Sequence, residues 1–287
     1  MYDGIGGVPL IVREPALPVD PRLPGEPTLL EVGSTRVWLG RRGAMVWLPT
    51  RLLALRIGAR RYGVPERPAY VVVAAIAWFA IMFLGPRIDL PGQAAAIVLI
   101  FTAFQVVRWR RTQSREQLAE RLTGAGGPLP FRVAAKQVGW CYLSSTALTF
   151  VGGAALCAAS FLAAPGHATR HWYPPSVAIG VHTFALAAGA GATALVLARV
   201  LRAPVLAEDE ASRLVDEVLR AEDPYRYASS VLYAALAVPV FVVDWAAPGL
   251  LGWSAAAYLV TVVVLQLVGW LLVRRRYRWL PPGFYGR

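Results

Sequence analysis

Hydrophobic residues in this chain are gathered into long, nearly uninterrupted blocks rather than spaced at the period of an amphipathic helix or strand. Blocks of this kind are typical of helices that cross a bilayer, because a spanning helix needs roughly 20 apolar residues. Six of them occur, at approximately 68–86, 90–109, 138–164, 175–201, 227–247 and 252–273. The pattern therefore predicts an all-α polytopic membrane protein with six transmembrane helices.

The connections between the blocks alternate between short and long. Tight links join the first block to the second, the third to the fourth and the fifth to the sixth, whereas loops 110–137 and 202–226 are long. This alternation predicts a bundle over residues 68–273 built as three helical hairpins in series. Each long loop also carries a short amphipathic segment, at 115–122 and at 211–220.

The basic residues set the orientation. The chain has a net charge of +12, and 29 of its 287 residues are arginine or lysine. All but Arg87 and Arg170 fall on one predicted side, in segments 1–67, 108–136, 199–226 and 274–287. Because basic residues collect on the cytoplasmic side of membrane proteins, we predict a multi-pass protein of the cell (inner) membrane with both termini cytoplasmic. The same rule accounts for the basic charge, so no nucleic-acid partner is expected.

The segments outside the bundle differ in character. Residues 1–30 form a proline-rich leader, which we expect to be disordered. Residues 31–67 are predicted as a cytoplasmic extension, in which two apolar runs within 28–48 flank a glycine-bounded turn and indicate a β-hairpin. A short basic helix is predicted after Pro49. We expect it to lie in the lipid interface; the alternative is packing against the cytoplasmic loops. Residues 274–287 are a basic cytoplasmic tail.

One stretch of the second long loop resembles a known group of proteins. The sequence AEDEASRLVDEVLRAEDPYR, which runs from Ala207 to Arg226, follows directly on the fourth apolar block. It resembles a recurring segment of uncharacterised multi-helix integral membrane proteins of high-GC Gram-positive bacteria. The resemblance covers the fourth and fifth helices and the loop between them. It implies a membrane topology and no assigned activity.

Few residues in the chain carry recognisable chemistry. No Walker A, HExxH, GxSxG, CxxC or EF-hand pattern occurs, so the sequence predicts no catalytic residue and no cofactor. The candidate metal ligands all lie toward the predicted outer face, namely His167, His171, His182 and Asp244. Imidazole and carboxylate groups can bind zinc or copper, and the alternative is ordinary interfacial histidines. We also expect Asp244 to pair with His182 or Arg170, because an unpaired charge in lipid is costly. The alternative is that Asp244 reaches the outer water beside Trp245.

Three functions are compatible with these features. The leading prediction is a non-enzymatic membrane component in the lipid bilayer, an accessory or permease-like subunit that docks a cytoplasmic partner through loops 110–137 and 202–226. The first alternative is a self-contained transporter of a small apolar or amphipathic compound, since the predicted spans contain almost no charge. The second alternative is an intramembrane metalloenzyme that uses the outer histidines and Asp244.

Overall fold

The computed structural model describes residues 26–61, 90–123, 127, 129–163, 175–235, 249–281 and 285. In these ranges the chain is mainly helical, with short connecting loops, and contains no strand. Its helices are α1 (Leu29–Gly40), α2 (Arg51–Arg61), α3 (Leu90–Thr123), α4 (Phe131–Val138), α5 (Trp140–Ala147), α6 (Gly153–Ala163), α7 (Pro175–Arg202), α8 (Glu210–Tyr227), α9 (Val231–Ala235) and α10 (Leu250–Arg276). A π-helical turn, Leu148–Gly152, joins α5 to α6.

Three stretches in this part of the chain are long and apolar enough to cross a membrane. They are Trp140–Ala163, which runs through α5, the π-helical turn and α6, then Ile179–Arg202 in α7, and Leu250–Arg276 in α10. They correspond to the predicted third, fourth and sixth blocks. The first block lies outside the described residues, and so does most of the fifth.

A buried apolar core holds these long helices together. Phe101 of α3, Leu186 of α7, Tyr233 of α9 and Tyr258 of α10 belong to it. Several helix crossings depend on glycine, which lets a neighbouring side chain reach the backbone. A Cβ at Gly153 would lie 2.8 Å from Leu186 Cδ1, and a Cβ at Gly189 would overlap the Tyr233 ring. The glycine- and alanine-rich stretches of α6 and α7 therefore serve close packing.

The prediction of a β-hairpin within residues 28–48 is wrong, because residues 29–40 form helix α1. Thr28 caps the helix: its hydroxyl accepts from the Glu31 backbone N–H, and the Glu31 carboxylate accepts from the Thr28 backbone N–H. This reciprocal pair is a capping box, whose sequence signature is Thr-x-x-Glu. The apolar runs on either side of the glycine turn suggested strands. The capping box at Thr28 instead starts a helix, which contains the first of these runs.

Helix α2 follows Pro49 as the sequence predicts, but its expected place in the lipid interface is wrong. Leu52, Leu53, Leu55 and Ile57 are at most 1% exposed. The helix packs against α1, α3 and α8, so the chain itself covers the face that lipid was expected to cover. The alternative, packing against the loop segments, is the arrangement observed.

We call the cap residues 29–61, which contain α1, α2 and the loop between them, together with α8 and the tail residues 277–281 and 285, because these segments share a second buried core. That core contains Trp38 and Leu39 of α1, Ile57 of α2, Val215 of α8 and Leu280 of the tail. The Leu280 backbone N–H donates to the Arg42 carbonyl at 2.9 Å. The predicted amphipathic segment 211–220 lies within α8, whereas 115–122 is the end of α3 and continues the second apolar block without a break.

Two glycines of the cap give a matched test of this packing. At Gly58 of α2 a Cβ would lie 2.8 Å from the Glu31 Cα, whereas at Gly33 of α1 a Cβ would meet nothing within 4 Å. We expect Gly58→Ala to push α1 off α2 and destabilise the cap by about 1–3 kcal/mol. Gly33→Ala should instead stabilise α1 by up to about 1 kcal/mol, since alanine favours helix.

The measurement is thermal unfolding of the full chain in mild detergent, with the rate of protease cleavage in α1 followed in parallel. Equal stability of the two variants would contradict the close crossing of α1 and α2.

Candidate functional site

The most strongly built polar feature is a layer of buried charges between the cap and α3. It contains three arginines, Arg56 and Arg60 of α2 and Arg220 of α8. It also contains three carboxylates, Glu116 of α3 and Asp216 and Asp223 of α8. All six residues are buried or nearly so, and Arg56, Arg60 and Arg220 are each 4% exposed. We call these six residues the ion-pair layer.

Arg56 lies at the centre of the ion-pair layer. Its Nε lies 3.1 Å from Glu116 Oε1, and one of its terminal nitrogens donates to Asp216 Oδ1 at 2.6 Å. The other terminal nitrogen donates to the Leu206 carbonyl at 2.9 Å. One guanidinium thus connects α3, α8 and the segment before α8. Arginine can do this because its donors form a fork, which lysine lacks.

Arg60 follows Arg56 by one helical turn and pairs with the same two helices. It contacts Asp223 through two parallel hydrogen bonds, from Nε to Oδ1 at 2.8 Å and from a terminal nitrogen to Oδ2 at 2.6 Å. Its other terminal nitrogen donates both to Glu116 and to the Arg56 carbonyl. A two-pronged arginine–carboxylate pair fixes direction as well as distance, so α2 has one register against α8.

Arg220 extends the ion-pair layer to the end of α7. It donates to Asp216 Oδ2 at 3.0 Å, to the Val200 carbonyl in the last turn of α7 at 3.4 Å, and to the carbonyls of Ala203 and Pro204 just beyond α7 at 2.8 and 3.2 Å. The last carbonyls of a helix have no partner within the helix and carry partial negative charge. The guanidinium supplies both hydrogen bonds and positive charge where α7 ends, and ties that end to α8.

The charges of the ion-pair layer balance, and the pKa values follow from this. Burial by itself raises the pKa of the Glu116 carboxyl, but the charges of Arg56 and Arg60 outweigh it and lower the pKa from 4.5 to about 2. Burial likewise lowers the pKa of Arg60, and the charges of Asp223 and Glu116 outweigh it and hold that pKa well above its usual range. Glu116, Arg56 and Arg60 therefore stay ionised near neutral pH.

A second polar feature lies deeper in the bundle and is uncharged. Between α8 and α9 the helix is interrupted at residues 228–230, which exposes backbone carbonyls inside the protein. The Tyr142 hydroxyl donates to the Ala228 carbonyl at 2.6 Å, and Gln105 Nε2 donates to the Ser229 carbonyl at 3.1 Å. Gln266 of α10 bridges the Ser229 and Ser230 hydroxyls at 3.0 Å each. The interruption is thus satisfied by side chains from three other helices.

The same uncharged network reaches the π-helical turn. Thr149 donates to the Ser145 carbonyl at 2.8 Å, and its own carbonyl accepts from the Tyr258 hydroxyl at 2.6 Å. Tyr233 connects to Gln105 at 3.1 Å and to Thr102 at 2.9 Å. Such side chains commonly hold transmembrane helices together, because lipid offers them no other partner. A π-helical turn beside a helix interruption is also a frequent feature of functional sites.

Of the sequence-predicted metal ligands, His182 alone lies in the described part of the chain. His167, His171 and Asp244 lie outside the described residues, and so does Arg170, so the expected pairing of Asp244 stays a prediction. His182 is described and is buried in α7. Within the described part of the chain, no group of three or more histidine, cysteine or acidic residues could hold a metal ion.

Comparisons with known proteins supply no further guide to this site. The chain matches no model of a known protein family, and neither curated proteins nor solved structures give a match.

The spacing of charged residues along α2 and α8 was a signal for the ion-pair layer, and the sequence analysis missed it. Arg56 and Arg60 are four residues apart on α2, and Asp216, Arg220 and Asp223 are spaced by four and three on α8. Such spacings place each set on one face of its helix. Complementary charge on two amphipathic faces could have suggested that the faces meet, but no pattern indicates which helix is the partner.

Removing one charge from the ion-pair layer should be costly. We expect Arg60→Met to destabilise the cap by about 3–5 kcal/mol, because it leaves Asp223 and Glu116 buried with fewer positive neighbours. Arg213→Met on the exposed side of α8 is the matched control, and we expect a change within about 0.5 kcal/mol. Thermal unfolding in mild detergent measures both. If the two variants had equal stability, the layer would contribute nothing to holding α2.

Acid should loosen the cap through Glu116. Its pKa is lower in the folded chain, so its contribution is complete above the unpaired pKa of 4.5 and is lost as the pH falls to about 2. The shift corresponds to roughly 3 kcal/mol. We expect unfolding temperature to fall through this window in the wild-type chain and to fall less in Glu116→Gln. An unchanged acid profile in the variant would assign the pH dependence to other carboxyls.

Proposed function

We propose that this chain is a six-span protein of the cell membrane with both termini in the cytoplasm, and that it acts as a non-enzymatic accessory or permease-like subunit. The three candidate spans and the remaining apolar blocks support the topology. The basic segments all lie on the side that carries the cap, which supports a cytoplasmic cap. On this proposal the cap is the part that docks a cytoplasmic protein.

The observation that carries the proposal is that the cap is fixed in place yet shows apolar side chains on its surface. The ion-pair layer sets one register for α2 against α3 and α8. Val37, Met45, Trp47 and Trp279, which lie outside the candidate spans, are 55%, 91%, 55% and 64% exposed. Exposed apolar side chains on a rigid surface away from lipid are typical of protein interaction sites. Tryptophan in particular often anchors such interfaces.

These exposed residues belong to segments that contact one another. The Arg36 guanidinium lies over the Trp47 ring at 5.4 Å, and Trp279 lies against Gly43, where a Cβ would be 3.1 Å from the indole ring. The inner faces of α8 and of the α3 end are occupied by this chain. We therefore propose that loops 110–137 and 202–226 contact a partner only through their outward residues, with α1 and the tail adding the apolar part.

A self-contained transporter is the second candidate, and the uncharged network favours it. A helix interruption inside the bundle, lined by Gln105, Ser229 and Gln266, resembles the discontinuous helices that form substrate sites in transporters. The satisfied hydrogen bonds of this network fit a structural role equally well, so the first candidate is preferred. The metalloenzyme alternative depends on His167, His171 and Asp244, which lie outside the described residues.

The topology is tested by labelling single cysteines in a chain whose Cys141 and Cys157 have been replaced by serine. On the six-span model, a cysteine at Arg213 of α8 is labelled only in inside-out vesicles. A cysteine at Leu250, which is 86% exposed at the start of α10, is labelled only from outside. Labelling of both positions from the same side would overturn the proposed number of spans.

Docking is tested by placing a photo-crosslinking amino acid at Trp47 in cells that naturally express the chain. A matched probe at Trp253, 72% exposed near the other end of α10, reports on the opposite side of the membrane. We expect a discrete protein adduct from position 47 that Met45→Ser reduces by about tenfold or more, since a central apolar anchor contributes about 2 kcal/mol. Identical adducts from both positions, or none from position 47, would contradict docking through the cap.

A further inference from the structure

Helix α4 is a short amphipathic helix of the first long loop, and its outward face is exposed. Its inner side, Ala134 and Val138, is fully buried against Tyr142 of α5 and Leu201 of α7. Its other side carries Arg132 and Lys136, both exposed and one turn apart. Phe131 and Val133 flank them and are 67% and 43% exposed. The outward face therefore mixes two cations with apolar side chains.

The position of α4 places this face beside the candidate spans. Only Gly139 separates α4 from Trp140, the first residue of the span Trp140–Ala163. Gly139 has φ +93° and ψ 143°, a backbone conformation that is essentially restricted to glycine. The chain thus changes direction sharply where the span begins. Trp140 is 79% exposed there, as is typical of tryptophan at the boundary between hydrocarbon and headgroups.

The end of a second span adds positive charge at the same level. Helix α7 contacts α4 through Leu201, and its exposed Arg199 and Arg202 lie in its last turn. None of the four cations of α4 and α7 pairs with a carboxylate of the described residues. This contrasts with Arg56 and Arg60, whose charges are neutralised within the protein.

We propose that α4, with the last turn of α7, is a binding surface for anionic lipid headgroups. Phe131, Val133 and Trp140 enter the boundary of the acyl chains, and Arg132, Lys136, Arg199 and Arg202 contact headgroup phosphates. A lipid is favoured over a soluble anion because the cations lie among exposed apolar side chains. Acyl chains can cover those side chains while the headgroup contacts the cations, whereas a soluble anion would leave them in water. This inference rests on the proposed insertion of the spans into a membrane.

The test is native mass spectrometry of the full chain, released from mild detergent micelles that contain either phosphatidylglycerol or phosphatidylcholine. We expect retention of phosphatidylglycerol over phosphatidylcholine. The double variant Arg132→Gln, Lys136→Gln should weaken phosphatidylglycerol binding by about fivefold per charge removed. The charge-conserving variant Arg132→Lys, Lys136→Arg should retain binding, which separates loss of charge from loss of fold.

A matched control removes two exposed arginines outside this surface, Arg41→Gln and Arg213→Gln, and should change lipid binding by less than about twofold. Equal binding of the two lipids, or an equal loss in the control, would overturn the proposal. So would displacement of the lipid by inorganic phosphate, or a lipid-independent dimer that Phe131→Ser abolishes. Resistance of the chain to alkaline extraction from cell membranes is measured separately, so failure of membrane insertion is distinguished from failure of lipid recognition.

Discussion

The arrangement of this protein depends on one electrostatic constraint: charges removed from water must be neutralised by opposite charges in fixed positions. Arg56 and Arg60 of α2 have no access to solvent, so α2 is held where Glu116, Asp216 and Asp223 can reach them. Buried ion pairs add little net stability over a well-packed apolar contact, but they strongly penalise wrong registers. Their contribution here is therefore to select one docking of the cap onto α3 and α8.

The ion-pair layer and the uncharged hydrogen-bond network differ in chemistry and lie in different parts of the structure. The ion-pair layer lies at the end of the bundle, where the basic segments of the chain are concentrated. The network around Gln105, Ser230 and Gln266 lies among the long apolar helices and contains no charge. This division follows the cost of burial, because an uncharged amide or hydroxyl is satisfied by one or two hydrogen bonds, whereas an ion also needs a counter-charge. An apolar bundle can thus hold an interrupted helix without any ionised side chain in this network.

The cap and helix α4 present contrasting surfaces that follow from the same basic composition. In the cap, Arg56 and Arg60 of α2 turn inward and are neutralised, whereas Met45 and Trp47 are exposed. In α4 the apolar face turns inward, and Arg132 and Lys136 remain outside. On the two proposals above, the cap surface contacts a protein partner and the α4 surface contacts an anionic headgroup. The sequence placed α2 in the lipid interface, whereas the protein itself covers the apolar face of that helix.

The sequence by itself determined the helical character of the described chain and the three candidate spans, because long apolar blocks have no other stable form in a membrane. It also determined the helix after Pro49 and the capping box at Thr28, which depend on contacts within a few residues. Only the tertiary structure decided that Arg56 and Arg60 face protein rather than lipid. The physical reason is that an amphipathic pattern specifies that one face must be covered, whereas what covers it depends on residues such as Glu116 and Asp223, which lie far away in the chain.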